Sequence, residues 1–100
     1  MIHILLCCSA GMSTSLLVKK MRKSAEEKGV EVEIWAIPQS EILENKDKAD
    51  VVLIGPQIRY ALNEVKEIVG PDKPVDVIDI RDYGTMNGEK VLNFALSKLS

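Results

Sequence analysis

The sequence has two cysteines, one histidine and four aromatic residues among its 100 positions, and each shortage excludes something. The two cysteines, Cys7 and Cys8, are adjacent. Neighbouring side chains of an extended chain point to opposite sides, so the pair does not readily close a disulfide, and there is no third cysteine to bond with. Free thiols and a reducing, cytoplasmic setting are expected. Basic excess is also lacking: formal charge is −2, with both signs mixed along the chain. Without a basic patch, and with so few rings to stack on bases, nucleic-acid binding is not expected. The longest wholly apolar run, residues 4–8, is far too short to span a bilayer. Residues 1–8 lack the basic start of a signal peptide, so no direct membrane insertion is expected. There is no repeat, linker or low-complexity segment. What remains, 28% charged and 46% hydrophobic, reads as one folded domain over residues 1–100.

Four strand-like runs alternate with helical patterns. The runs are residues 2–7, 31–37, 51–54 and 75–80. Leu17, Met21 and Ala25 mark one face of a first helix. Ile58, Ala61, Leu62, Val65, Ile68 and Val69 mark a later one, and Val91, Leu92, Ala95, Leu96 and Leu99 the last. Residues 40–45 form a short helix after Pro38. This alternation predicts an α/β fold with a single four-stranded parallel sheet and helices on both faces. "ILLCC" and "VVLI" are continuously apolar, as strands buried on both faces are, whereas "EVEIWAI" and "VDVIDI" alternate like edge strands. With right-handed crossovers the order is 2-1-3-4. A ligand is then expected at the carboxyl ends of the first and third strands, where the order reverses.

The loop at that point is Cys8, Ser9, Ala10, Gly11, Met12, Ser13, Thr14 and Ser15. Small residues let successive backbone N–H groups converge into an anion-binding nest. The helix that follows adds unsatisfied donors and the positive end of its dipole. Ser13, Thr14 and Ser15 can cap that helix and offer hydroxyls to phosphate oxygens. A sulfur at the rim of such a nest is favoured as thiolate. The same nest would hold a phosphoryl group attached to it, which points to nucleophilic chemistry through a phosphocysteine. No metal or cofactor is needed, since the nest supplies the positive potential. The competing reading of Cys8 is a small buried hydrophobe. Cys7, still within the strand, is expected to fill the core.

Other residues are weighed against plainer roles. His3, at the far end of the sheet from the loop, reads as structural or surface. Pro56, Gln57 and Tyr60 follow the third strand beside the loop and are candidates for the crevice or for partner docking. Tyr83 and Gly84 follow the fourth strand and are candidates to shape the rim, with a plain turn as the alternative for Gly84. Met12 is either a partner contact or a cover for the thiol. Arg59 falls off the apolar stripe and is expected in solvent, as are the lysines of residues 19–28.

"CSAGMSTSLLVKKM", "ADVVLIGPQIRY" and "YGTMNG" together resemble the IIB component of the sugar phosphotransferase system, lactose/cellobiose type, over nearly the whole chain. The resemblance implies a cytoplasmic carrier phosphorylated on Cys8. Its donor would be a phosphohistidine of the IIA component. Its acceptor would be a sugar, typically a β-linked disaccharide, entering through the membrane IIC component. Low-molecular-weight protein tyrosine phosphatases are similar in sheet and in cysteine position, but their loop is C-x5-R. Here the sixth residue after Cys8 is Thr14, and no Asp-Pro supplies a general acid. The missing arginine suits transfer rather than hydrolysis. A thiol redox protein is the third alternative, weakened because adjacent cysteines lack the spacer of C-x-x-C.

Overall fold

In the computed structural model, which describes residues 1–8 and 11–99 (side chains of 11–13 excepted), the two continuously apolar runs lie side by side in mid-sheet. Strand β1 (Ile2–Cys8) pairs in parallel with β2 (Val32–Pro38) on one side and β3 (Val51–Ile54) on the other. β3 pairs in turn with β4 (Val75–Val77), giving the expected order 2-1-3-4. The reason is burial on both faces: Leu5, Cys7, Val52 and Ile54 point into one core, and Ile4, Leu6, Val51 and Leu53 into the other. Helices α1 (Gly11–Lys28) and α5 (Gly88–Ser97) cover the second of these through Leu17, Met21, Val91, Leu92 and Ala95. On the opposite face lie α2 (Ile42–Asn45) and α3 (Leu62–Val69), contributing Ile42, Val65 and Val69. Leu99, expected on the last apolar stripe, lies beyond α5 and is exposed. Lys19, Lys20, Lys23 and Lys28 are solvated, as expected, and so is Arg59.

β2, expected over residues 31–37, is shifted by one to Val32–Pro38, and two further differences reshape the functional end of the sheet. β1 runs one residue further than predicted, so that Cys8 is still paired, opposite Pro38. The fourth strand, predicted over residues 75–80, stops at Val77. There Asp79 turns the chain: its carboxylate accepts from the N–H groups of Arg81 at 2.8 Å and Asp82 at 3.3 Å. That cap starts a short helix, α4 (Ile80–Gly84). Ile80, which strand alternation would have half-buried, is 66% exposed at its start.

The opposite, amino-terminal edge is tied by His3. Its backbone N–H donates to Asp50 Oδ2 at 2.8 Å, its ring Nδ1 lies 3.1 Å from the same oxygen, and Nε2 is 3.8 Å from Glu33. This structural role matches the expectation for the single histidine. The bonds from the His3 backbone and ring hold the Asp50 carboxyl below its usual range. A carboxyl depressed in the folded state adds stability above the unfolded-chain value near 3.8, and that contribution is lost as pH falls through the lower folded value. Asp50→Asn is therefore expected to cost less than about 1 kcal/mol at neutral pH, because the pair is exposed. The deficit should shrink towards zero once the wild-type carboxyl is protonated. Urea denaturation of both proteins across the acid range checks it, and a pH-independent difference would refute it.

Candidate functional site

At the carboxyl end of β1 the neighbouring connections diverge, one crossing to β2 and the other leaving β3, and the crevice between them is where a ligand is best placed. Cys8 stands there as the last residue of β1, three positions before α1 begins at Gly11. It is 3% exposed, and its Sγ–H is directed at the carbonyl oxygen of Ile37, 3.7 Å away. The sulfur is thus covered rather than at an open rim, because the extra residue of β1 carries it into register with β2. Cys7 points the other way, fully buried in the α2–α3 core. Burial, and secondarily the neighbouring Cys8, push its thiol up to about 11. The two thiols are therefore separated by the sheet itself, which removes the dithiol geometry a redox role would need.

The far wall of the crevice is Gly55, directly after β3, whose N–H donates to the Cys7 carbonyl at 2.9 Å. A Cβ built there would stand 3.7 Å from Cys8 Cβ and 3.0 Å from Gln57 Oε1. The chain thus approaches Cys8 closely at a residue without a side chain, and the amide of Gln57 folds back beside it.

Of the proposed cradle, Ser9 and Ala10 lie outside the described residues, as do the side chains of Gly11, Met12 and Ser13. The backbone of Gly11, Met12 and Ser13 forms the first turn of α1, which carries no acidic residue to compete for an anion. Thr14 is 1% exposed, and its Oγ1 lies 3.0 Å from the hydroxyl of Tyr83, itself buried. Ser15 is exposed on α1. Tyr83 sits in α4, and Gly84 closes that helix rather than making a plain turn.

The candidate crevice residues divide. Pro56, Gln57 and Tyr83 come together, with Ile80, Gly84 and Met86, around an open groove of about 370 Å³. Tyr60 does not join them and stands 80% exposed. Ile80 and Met86 escaped the sequence reading, the first because it extended a strand pattern. The second lies in the turn that precedes α5, held at a φ of 54° while Asn87 caps the helix by accepting from the Lys90 N–H. Exposed large apolar residues follow the carboxyl end of every strand: Leu16 in α1, Leu43 in α2, Tyr60 after β3 and Ile80 in α4. Among the described residues no group of three His, Cys, Asp or Glu side chains is disposed to hold a metal, and no helix is long and apolar enough to cross a membrane.

The chain is similar to known proteins in sequence and in fold. The profile of the family "PTS system, Lactose/Cellobiose specific IIB subunit" matches residues 3–94. The oligo-beta-mannoside-specific EIIB component of Bacillus subtilis (strain 168) is 50% identical over 95 residues, covering 94% of this chain and 92% of that protein. The cellobiose-specific EIIB component of Lactococcus lactis subsp. lactis (strain IL1403) is 46% identical over 97 residues, covering 89% and 88%. In structure the chain is similar to the cellobiose-specific phosphotransferase IIB component of Borrelia burgdorferi, with a TM-score of 0.81, 45% identity and coverage of 97% and 90%. The lactose-specific IIB domain from Streptococcus pneumoniae, at 16% identity and a TM-score of 0.84 over 99% and 98%, shares the fold. On these grounds the chain belongs to the lactose/cellobiose-specific IIB family of the sugar phosphotransferase system.

Proposed function

We propose that residues 1–100 act as a cytoplasmic phosphoryl carrier, with Cys8 as the nucleophile and the backbone N–H groups of residues 9–15 as the phosphate cradle. One observation carries the reading. Cys8 closes a central strand at the switch point of the sheet, with two residues between it and the start of α1. The Cys8 sulfur attacks the phosphorus of a phosphohistidine on the IIA component. The S–P bond forms as the P–N bond breaks, the electron pair returns to the imidazole, and the thiol's proton ends on that ring. In the second transfer a sugar hydroxyl attacks the phosphorus, the S–P bond breaks, and the hydroxyl proton is left for the thiolate.

A thiolate has no proton to donate to the Ile37 carbonyl, so the reacting sulfur turns from it towards the amides of the cradle. Ser13 and Ser15 offer hydroxyls to the phosphate oxygens. Thr14, where the phosphatase loop carries arginine, instead has its hydroxyl bonded to buried Tyr83. No guanidinium reaches the phosphate from that position, which favours passing the group on over hydrolysing it.

IIA and the membrane IIC component dock in turn, over the exposed Tyr60 and Ile80 and the groove at Pro56 and Gln57. The acceptor is a β-disaccharide of the cellobiose, chitobiose or lactose class, in keeping with relatives named for oligo-β-mannoside and cellobiose.

Incubation with phosphoenolpyruvate, the general phosphotransfer proteins and a IIA component, followed by intact mass measurement, tests this. One phosphoryl group per chain is expected, with negligible release of nitrophenol from nitrophenyl phosphate by the isolated protein. No mass gain, or rapid nitrophenol release, defeats the carrier reading.

A further inference from the structure

We propose that Tyr83 is a positioning residue for phosphoryl transfer, acting through its hydroxyl on Thr14 and so on the first turn of α1. The inference rests on the carrier reading above. Its basis is a side-chain bond that spans 69 residues of chain, between two hydroxyls both withdrawn from water.

Thr14 is the fourth residue of α1, six residues after Cys8. The N–H groups expected to meet the phosphoryl oxygens therefore lie in the segment between a strand end and this one anchored hydroxyl. β1 holds the Cys8 side of the segment through its two parallel neighbours. Tyr83 holds the other side. The tyrosine is itself fixed at two levels: α4 is started by the Asp79 cap, and the Tyr83 N–H donates to the Asp79 carbonyl at 3.0 Å. Its ring belongs to the core that α1 and α5 share with the sheet, and it also borders the groove with Pro56, Gln57 and Ile80.

A hydroxyl pair of this kind can serve as an orienting contact because a small displacement of a donor array is costly in rate. A misplacement of about 1 Å can slow transfer about 100-fold. Tyr83 does not touch the phosphorus. Its effect is on where the amides point.

Four variants read this out: Tyr83→Phe, Thr14→Val, the double variant, and Thr14→Ser, which keeps the hydroxyl. Steady-state transfer from phosphorylated IIA gives kcat and the KM for the donor protein, and thermal melting reports folding. Each hydroxyl-deleting single variant is expected to lose about 10- to 100-fold in kcat, with KM nearly unchanged. The double variant should be no slower than the slower single one, since both remove the same bond. Thr14→Ser should recover most of the rate.

Wild-type kcat in Tyr83→Phe, losses that multiply in the double variant, or a loss expressed wholly in KM would overturn the assignment. The last would make Tyr83 a docking contact through the groove. If Tyr83→Phe does not fold, the comparison of Thr14→Val with Thr14→Ser decides alone, and equal kcat in those two refutes it. A wild-type chain that gains no phosphate on Cys8 overturns both this inference and the function beneath it. A phosphorylated wild type with an equally fast Tyr83→Phe overturns the inference only.

Discussion

Cys8→Ser is expected to take up no phosphoryl group from a phosphorylated IIA component, while Cys7→Ala takes up one per chain like the wild type. The two sulfurs are neighbours in sequence but stand on opposite faces of the sheet, with opposite chemical prospects. Cys7 lies fully buried among Leu5, Val52 and Ile54, and its thiol is pushed up to about 11. At neutral pH about one molecule in 10⁴ would carry it as thiolate, the only form that attacks. Nor does it face the loop that would receive the group. Cys7→Ala should cost about 1 kcal/mol, the scale of deleting a small buried group. Cys8 lies at the strand's end, and replacing its sulfur with a far less acidic hydroxyl removes the nucleophile without removing the site. Intact mass after incubation with the complete phosphorylating mixture measures both, and melting temperatures confirm that each variant is folded. Phosphate on folded Cys8→Ser, or none on folded Cys7→Ala, would move the reaction to another atom.

The sheet order is legible in the sequence because burial on two faces and burial on one leave different marks. "ILLCC" and "VVLI" leave no polar position for solvent, and both occupy the centre. Glu33, in the alternating run, is exposed on edge strand β2. The position of Cys8 followed from the same logic. Its cover did not, since whether a strand ends at residue 7 or 8 depends on pairing with Pro38, which no local pattern records. The fourth strand is shorter than its pattern for a related reason. "VDVIDI" continues the alternation through Ile80, but the Asp79 carboxylate accepts from the Arg81 and Asp82 N–H groups and turns the chain into a helix instead. Once the chain turns there, Ile80 becomes an exposed apolar surface and Tyr83 is carried inward to Thr14. A contact across 69 residues has no signature in either neighbourhood. Proximity in sequence groups Tyr60 with Pro56 and Gln57, yet the 3₁₀ turns over Pro56–Ala61 place it out in solvent, away from the groove.

Gly88→Ala is expected to destabilise the protein by about 2–3 kcal/mol, the upper part of the range for overpacking a core. Gly88 opens α5 and lies against the backbone of α1 at Lys20. A Cβ there would fall 2.5 Å from the Lys20 carbonyl carbon and 2.7 Å from its oxygen and Cβ. Helix propensity pulls the other way, since alanine is favoured over glycine by about 1 kcal/mol within a helix and by less in its first turn. Crowding wins because the obstructing atoms are main chain. They yield only if α1 moves, and α1 is held by Leu17 and Met21 in the core beside β1. Gly84→Ala supplies the opposite sign. No atom outside its immediate neighbours lies within 4 Å of a Cβ there. Residue 84 is helical, so the methyl should leave stability unchanged or raise it by up to about 1 kcal/mol. In urea the first variant should lower the midpoint at unchanged slope, and the second should not. Equal stability of Gly88→Ala and the wild type would mean that α1 and α5 are not in backbone contact. If the contact is real, the damage goes beyond stability. Thr14 rides on the helix that must shift, so Gly88→Ala should also slow phosphoryl transfer at temperatures where the protein remains folded, although residue 88 lies outside the cysteine loop.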